Sequence, residues 1–230
     1  MIALAAVSAL RDVKPPFLEG LSPADLKTVL ADATPRHFLT NSIITHQGHP
    51  ASHLFLLIQG SARYFYMTKD GQKILIRWLP AGEIIGGVAL LPRPSHYLVS
   101  AETVKNSSAL VWDRSAIRIL TERYPRLLEN MLTIVSDYLD SYLALHVAMT
   151  RHTAGQRLAH VLINLASGIG HRVVGGIELA VSNEDLASAA NVTPFTASRL
   201  LSQWQRRGML TKSRGKVLLR NPERLVLHEI

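Results

Sequence analysis

The sequence predicts an α+β protein with an antiparallel β domain first, a long helix next, and a small helical domain with a β-hairpin last. Three observations predict this order: regularly spaced turn glycines, a heptad repeat of apolar residues, and two capped helices followed by a hairpin pattern. The expected domains are residues 15–124, 125–150 and 151–230. Because 47% of the 230 residues are apolar, the chain has enough apolar surface to bury a core.

Residues 37 to about 112 have the pattern of short strands separated by turns. Turn glycines recur every 8–12 residues over much of this segment, at positions 48, 60, 71, 82, 86 and 87. This spacing is typical of an antiparallel sandwich or barrel. Lys69, Asp70 and Gly71 lie between the alternating runs ARYFYM and KILIRWL, which predicts a hairpin at this point.

A long helix is predicted after the β domain. Asp113 is expected to cap a short helix, and Pro125 suits the first turn of the longer one. Apolar residues then repeat every seven positions in two series, Leu128, Val135, Tyr142, Met149 and Met131, Tyr138, Leu145. Such an a/d seam of about three heptads is typical of a helix that pairs with a second helix. We expect pairing with a second copy of the chain, and packing against the chain's own β domain is the alternative.

The C-terminal region has the pattern of a winged helix-turn-helix. Ser182 begins one helix, Thr193 caps the next with Pro194 at its first position, and Gly208 ends it. Two short strands joined by a basic turn at 213–216 follow. Because an α-helix fits the major groove, its exposed polar side chains and the hairpin are candidate DNA contacts. These residues are Ser182, Thr193, Phe195, Thr196, Ser198, Arg199, Gln203, Arg206, Lys212, Arg214 and Lys216.

Charge and composition narrow the function classes. The net charge is +8, and residues 151–230 carry +6 of it, with 11 Lys and Arg against 5 Asp and Glu. A basic segment of this kind favours a polyanion partner, and a solubilising surface is the alternative. The lack of cysteine excludes disulfides, thiolate-held clusters and thiol catalysis. No apolar run reaches the roughly 18 residues that span a bilayer, so a cytoplasmic protein without a membrane partner is expected. Without a phosphate-binding glycine loop or a nucleophile elbow, no enzymatic activity is expected.

Over about residues 15–225 the chain resembles the Crp/Fnr family of bacterial transcription regulators. The segments that carry the resemblance are GHPASHLFLLIQGSARYF, LPAGEIIGG and SNEDLASAANVTPFTASRLLSQWQRRGML. The resemblance implies a β-roll sensor domain of the cupin-like jelly-roll type, a homodimer joined along the long helix, and a winged helix-turn-helix that binds palindromic promoter sites. It also implies RNA polymerase as a partner and a small-molecule effector bound to the β-roll.

The reading helix departs from the family pattern. Family helices often begin Arg-Glu-Thr-Val-Gly/Ser-Arg, whereas this chain has the residues PFTASR at 194–199. Arg199 is kept and is expected to make a bidentate contact with guanine through two guanidinium N–H groups. Phe195 replaces the glutamate, and it either lies against a thymine methyl group or folds back into the core. The target sequence is therefore expected to differ from the family's common half-site.

The sensor region also departs from the family. Members that bind cyclic nucleotides carry a glutamate for the ribose hydroxyl and an Arg-Ser pair for the cyclic phosphate. This chain has Gly87 in the first place and Ser95-His96 in the second. Without a cationic fork a buried phosphate lacks its strongest partner, so we expect an effector other than cyclic AMP, or none. The expected pocket residues are Ile85, Gly86, Gly87, Val88, Arg93, Ser95, His96 and Tyr138.

Histidines leave two further interpretations open, and the sequence does not name a cofactor. No metal site is expected, because the strand–turn context points His46, His49 and His53 in different directions. Some family members hold haem through histidine, so His96 is the residue to test, and a hydrogen-bonded loop histidine is its alternative. The alternative function is a module that binds haem or a cyclic nucleotide and whose C-terminal domain docks protein rather than DNA.

Overall fold

The computed structural model describes residue 10, residues 13–213 and 215–220, and residues 222 and 225, without the side chains of residues 148 and 149. The backbone divides into two compact units. The first contains Met1–Lys73 and Leu79–Asp140, and the second contains Ile74–Trp78 and Ser141–Ile230.

The N-terminal strands form two four-stranded sheets, with orders β1-β8-β3-β6 and β2-β7-β4-β5. The strands are β1 Thr34–Phe38, β2 Ile43–Thr45, β3 His53–Gln59, β4 Ser61–Met67, β5 Lys73–Pro80, β6 Ile84–Ile85, β7 Ser100–Thr103 and β8 Ser107–Asp113. Strand β8 pairs antiparallel with β1 and β3, and β7 pairs antiparallel with β2 and β4. This architecture confirms the α+β fold class predicted from the sequence.

Strand β3 contains a continuous run of apolar residues because both of its faces are buried. Successive side chains of a strand point to opposite faces. Phe55 and Leu57 pack in the cluster that contains residues of both sheets, whereas Leu54 and Leu56 pack against the cluster formed with the helices.

The predicted hairpin at Gly71 is confirmed. Strand β4 ends at Met67 and β5 begins at Lys73, and the Thr68 N–H donates to the Gln72 carbonyl oxygen at 2.9 Å. Gly71 has a φ of 83°, in the left-handed region that glycine adopts without steric cost.

Among the described residues, the sheets are accompanied by the α-helices α1 Pro23–Ala31, α2 Arg114–Arg123 and α3 Arg126–Arg151 and by 3-10 helices at Pro16–Leu18 and Gly87–Leu90. The predicted long helix is therefore present as one continuous α3 of 26 residues. Asp113 occupies the N-cap position of α2, but its side chain does not cap the helix. Its carboxylate lies 3.1 Å from His53 Nε2 instead, so this part of the prediction was wrong.

The second unit contains the predicted helix-turn-helix and hairpin. After α3 its elements are α4 Ala154–Gly168, β9 His171–Val173, β10 Gly176–Leu179, α5 Asn183–Ala189, α6 Pro194–Arg206, β11 Leu210–Ser213 and β12 Lys216–Leu219. The strands form one sheet of order β11-β12-β10-β9, so the wing hairpin continues into a second hairpin that the sequence pattern did not predict. In the part of the chain that the structure describes, no helix is long and apolar enough to cross a membrane.

Candidate functional site

The start of α6 is fixed by its own first residues. Thr193 lies at the N-cap, and its hydroxyl accepts a hydrogen bond from the Thr196 N–H at 3.1 Å. Pro194 follows at the first helical position, where the missing N–H has no intrahelical partner to lose. Gly208, with a φ of 72°, follows the end of the helix as predicted.

Helix α6 has one buried face and one outward face. Ala197, Leu200, Leu201 and Trp204 are buried and pack in the core of the second unit. At 100° per residue, the opposite face carries Phe195, Arg199, Ser202 and Arg206, all of which are exposed. Thr196, Ser198 and Gln203 are half-buried at its borders. The outward face therefore presents two guanidinium groups and one aromatic ring.

Phe195 does not fold back into the core. Its side chain is 78% exposed at the second position of α6. Of the two alternatives left open by the sequence, the packing of this ring inside the domain is excluded by the structure.

The turn before α6 is hydrogen-bonded by an arginine that the sequence patterns did not predict as a functional residue. Asn191 has a left-handed φ of 48°, which lets the chain pass from the end of α5 to the start of α6 through only four residues. Arg157 of α4 donates from Nε to the Ala190 carbonyl oxygen at 2.9 Å, and from Nη2 to the Asn191 carbonyl oxygen at 3.2 Å. Its Nη1 donates to the His152 carbonyl oxygen at 2.8 Å. An amphipathic helix pattern does not reveal such a contact, because the acceptors are backbone atoms.

The remaining candidate DNA contacts lie at α5 and in the wing. The Ser182 hydroxyl accepts from the Asp185 N–H at 3.0 Å and so caps α5. Lys212 is half-buried in β11, and Lys216 is exposed and lies 2.8 Å from the Glu178 carboxylate. Arg214 lies outside the described residues.

The exposed apolar stripe of α3 differs from the predicted seam in one series. Leu128, Val135 and Tyr142 are exposed, as a partner-facing series requires. Met131 is only 9% exposed and packs in the core of its own unit, with half-buried Tyr138 packed against the same cluster. Met131 and Tyr138 of the second series therefore pack within the chain's own first unit rather than facing a partner. Leu145 of that series is half-buried. The Met149 side chain lies outside the described part.

Leu132 and Leu139, which are 68% and 58% exposed, form the second series of the exposed stripe. They follow Leu128 and Val135 by four residues rather than three, and Leu143 and Val147 extend the exposed apolar surface. Counting apolar residues at alternating spacings of four and three, from Leu128 onward, would have found this stripe in the sequence.

Gly86 and Tyr97 lie together in the sensor region. Gly86 has a φ of 84°, and a Cβ there would lie 2.8 Å from the His53 carbonyl oxygen and 2.9 Å from the Tyr97 ring. The buried Tyr97 hydroxyl donates to the His53 carbonyl oxygen at 3.0 Å and accepts from the His53 N–H at 3.1 Å. Burial raises the pKa of Tyr97 above its ordinary value.

Gly87 and Tyr138 take part in contacts between α3 and the β domain. A Cβ at Gly87 would lie 3.2 Å from Met131 Sδ, so a longer side chain at this position would have to displace the methionine. The Tyr138 hydroxyl donates a hydrogen bond to the Glu83 carboxylate. Ile85 is buried and Val88 is half-buried.

The residues expected at the phosphate position are largely open to solvent. Arg93 and His96 are exposed, and Ser95 is half-buried. A cleft of about 390 Å³ is lined by residues 50–52, 94–95 and 113–115. Ser95 is the one predicted pocket residue among those that line it, so the cleft does not join the predicted set into one enclosed site.

Histidines form pairs rather than a ligand cluster. The rings of His46 and His49 lie 5.0 Å apart, and the rings of His152 and His160 stack at 5.1 Å. The Ser52 hydroxyl and the His53 Nδ1 are 2.8 Å apart, on the side of the ring opposite to Asp113. Among the described residues, no group of three histidine or carboxylate side chains could hold a metal ion.

Two family models match the chain. Residues 35–124 match the cyclic nucleotide-binding domain, and residues 156–227 match the Crp-like helix-turn-helix domain. Together the two matches cover more than half of the chain.

Curated relatives of known function align over most of the chain. The CRP-like cAMP-activated global transcriptional regulator of Mycobacterium tuberculosis is 21% identical over 91% of this chain and 94% of the relative. The anaerobic regulatory protein of Bacillus subtilis is 22% identical over 86% of this chain and 85% of the relative.

Solved structures have the same fold. The c-di-GMP responsive global regulator CLP of Xanthomonas campestris superimposes with a TM-score of 0.75 at 20% identity, over 87% of this chain and 100% of that chain. FixK2 of Bradyrhizobium japonicum superimposes with a TM-score of 0.73 at 23% identity, over 86% of this chain and 98% of that chain. The chain belongs to the Crp/Fnr family of bacterial transcription regulators, with a cyclic nucleotide-binding-type domain followed by a helix-turn-helix DNA-binding domain.

Proposed function

We propose that the protein acts as a homodimer that binds palindromic promoter sites, under the control of an effector other than cyclic AMP or without one. The observation that carries this proposal is the outward face of α6, where Arg199 and Arg206 stand exposed on a helix whose opposite face is buried. The domains proposed for these tasks are residues 15–124 for the sensor, 125–150 for dimerisation and 151–230 for DNA binding.

Charge and helix geometry support the DNA contact. The first turn of α6 carries no acidic residue, and residues 151–230 have a net charge of +6 from 11 basic and 5 acidic side chains. The positive end of the α6 helix dipole and the exposed Thr193 suit phosphate oxygens. In this proposal Arg199 and Gln203 contact base edges, and Lys212 and Lys216 of the wing contact the DNA backbone.

The exposed stripe of α3 supports pairing with a second copy. Leu128, Leu132, Val135, Leu139 and Tyr142 follow one another along one face of the helix, and all are exposed in the single chain. A contiguous apolar face of this length is an interaction surface, and a two-fold axis would bring the same face from both copies together. Two-fold symmetry of the protein requires a two-fold symmetric operator, with half-sites about one helical turn (roughly 34 Å) apart.

The sensor region supports an effector that differs from cyclic AMP. Gly87 replaces the carboxylate that would hold a ribose hydroxyl, and Met131 lies against that position. Ser95 and exposed His96 replace the cationic pair that would hold the phosphate. Tyr138, bonded to Glu83, joins α3 to the sensor domain, so a ligand near this pair would bias α3 by population shift. A cytoplasmic location and contact with RNA polymerase complete the proposal.

Selection of bound sequences from a random DNA pool tests the proposal. The full chain is expected to enrich one palindromic sequence, and binding to it is expected to weaken steeply as salt rises, because phosphate contacts release counterions. A Gln203→Ala and Arg199→Ala double variant serves as the matched control that keeps the fold but loses the base contacts. Absence of any enriched sequence, together with binding that does not depend on salt, would overturn the proposal in favour of a protein-docking domain.

A further inference from the structure

An aromatic ring stands alone on a polar and cationic surface at the start of α6. Phe195 is 78% exposed, and Thr193, Ser198 and Arg199 surround its position in sequence. Exposed aromatic rings of this size leave a large apolar area in water unless a partner covers it. A partner of α6 that presents an apolar group at this position would bury that area and gain its hydrophobic contribution.

The placement of Phe195 relative to Arg199 puts the ring on the reading face. The two residues are four positions apart in α6, so they are neighbours on the same side of the helix. The buried residues Ala197, Leu201 and Trp204 lie on the opposite side. A helix that presents Arg199 to a base edge thus presents Phe195 to the same groove.

Only one of the standard bases offers an apolar group in the major groove. Adenine, guanine and cytosine present donors and acceptors there, whereas thymine presents its C5 methyl group beside an acceptor. An aromatic ring gains nothing from replacing water at a donor or acceptor, but it gains from covering a methyl group.

We propose that Phe195 determines sequence specificity by packing against the methyl group of a thymine in each half-site. This inference rests on the proposed DNA-binding function. Phe195 and Arg199 are about one helical turn apart, so the thymine is expected close to the guanine that Arg199 contacts. The half-site is therefore predicted to contain a thymine and a guanine near each other.

Replacement of thymine by deoxyuridine tests the contact, because the change removes one methyl group and keeps base pairing. With the operator selected by the full chain, each thymine is replaced in turn in both half-sites, and the affinity of the dimer is measured. Loss of a buried methyl group from both half-sites at one position is expected to weaken binding by about tenfold. The same replacement is expected to have no effect on the Phe195→Ala variant, because the ring that covers the methyl group is gone.

Ser202→Ala provides the matched control, since Ser202 lies exposed on the same face and the variant keeps the ring. This variant should retain the full effect of deoxyuridine. If no position is sensitive to deoxyuridine in the wild type, or if Phe195→Ala remains equally sensitive, the inference is overturned while the DNA-binding function stands. If the wild type selects no sequence at all, the inference fails, and the proposed function fails with it when binding to DNA also does not depend on salt.

Discussion

Arg157 in α4 donates a hydrogen bond from Nε to the carbonyl oxygen of Ala190, the residue that ends α5, at 2.9 Å. The last carbonyl groups of a helix lack intrahelical partners, and a cation at that end also interacts favourably with the helix dipole. The same guanidinium bonds the Asn191 and His152 carbonyl oxygens. One side chain thus joins the start of α4 to the turn that sets the direction of α6.

Replacement of Arg157 by methionine should loosen the turn between α5 and α6. The variant removes three hydrogen bonds from a charged donor, and we expect a loss of about 1–3 kcal/mol in local stability. Hydrogen exchange of the Ala190 and Val192 amides measures this loss, because both amides are bonded within the turn. Arg172→Met, which removes an exposed arginine of β9, should leave both exchange rates unchanged, and equal effects of the two variants would contradict the assignment.

A charge placed in the apolar stripe of α3 should separate the dimer. Leu139→Glu puts two carboxylates face to face across a two-fold axis, where each loses water without gaining a partner. We expect the dimer dissociation constant to rise by at least about 100-fold, measured by analytical ultracentrifugation over a range of concentrations.

Thr133→Glu is the control for this change, because Thr133 is also exposed on α3 but lies outside the stripe. It should leave the dimer intact. A wild-type chain that sediments as a monomer at every concentration, or a dimer that survives Leu139→Glu, would contradict the proposed interface.

Arg199 and Lys216 should differ in what they contribute to DNA binding. Arg199→Ala should lose about 1–3 kcal/mol of discrimination between the selected operator and random DNA, because its contacts are to base edges. Lys216→Ala should weaken binding to both DNAs alike and reduce the salt slope by about one unit per protomer. Titrations of each variant against both DNAs at several salt concentrations measure the two effects.

The ion pair between Lys216 and Glu178 requires a control in this experiment, since the Glu178 carboxylate lies 2.8 Å from Lys216. Glu178→Gln keeps the lysine and removes the negative charge, so it should strengthen binding to both DNAs. Equal loss of specific and random binding for Arg199→Ala and Lys216→Ala would refute the division of roles.

Cyclic AMP should not stabilise the protein. A ligand that binds only the folded state raises the melting temperature by mass action. At a ligand concentration 100 times its Kd, the added stability is about 2.7 kcal/mol. With Gly87 and Ser95-His96 in the two polar positions, we expect no rise at millimolar cyclic AMP in a thermal melt. A saturable rise in the melting temperature would show that the nucleotide is held by other residues.

Tyr97 should make stability decrease in alkaline solution. Burial raises the pKa of Tyr97 in the folded state, whereas the unfolded chain releases its proton near the ordinary value of about 10. The stabilising difference is therefore fully present below pH 10 and is lost as the pH rises through the folded-state pKa, by up to about 1.4 kcal/mol per pH unit.

Comparison with Tyr97→Phe isolates this effect. At pH 8 the variant should be less stable by about 1–2 kcal/mol, because the His53 N–H and carbonyl oxygen lose their partner. Above pH 10 the difference in unfolding free energy should shrink, as measured by urea denaturation. A difference that stays constant from pH 8 to pH 11 would contradict the raised pKa.

Local patterns in the sequence were sufficient to predict the order and type of the elements. The Asp70-Gly71 turn, the Thr193 cap with Pro194, and Gly208 after α6 act through their own backbone conformation, so their neighbours in sequence carry the information. The inward face of α6 was equally readable, since a helical period assigns Leu200, Leu201 and Trp204 to one side whatever they pack against.

Positions at the edge of a pattern were not readable in this way. A heptad count starting from Met131 and one starting from Leu132 describe the same helix, rotated by one residue. The choice between them depends on where the β domain lies, and its core takes Met131 and leaves Leu132 exposed. The local pattern likewise predicted that the Asp113 side chain caps α2, but its carboxylate lies against His53, which is distant in sequence.

By itself, the sequence determined the α+β fold class, the helix boundaries that caps and glycines impose, and the basic character of the reading domain, because these depend on short-range sterics and on composition. Tertiary structure alone decided that Phe195 stays outside the core, that Arg157 bonds the turn before α6, and that Leu132 and Leu139 rather than Met131 remain exposed. Each of these depends on which surfaces distant segments cover, and coverage is a property of the packed chain rather than of any stretch within it.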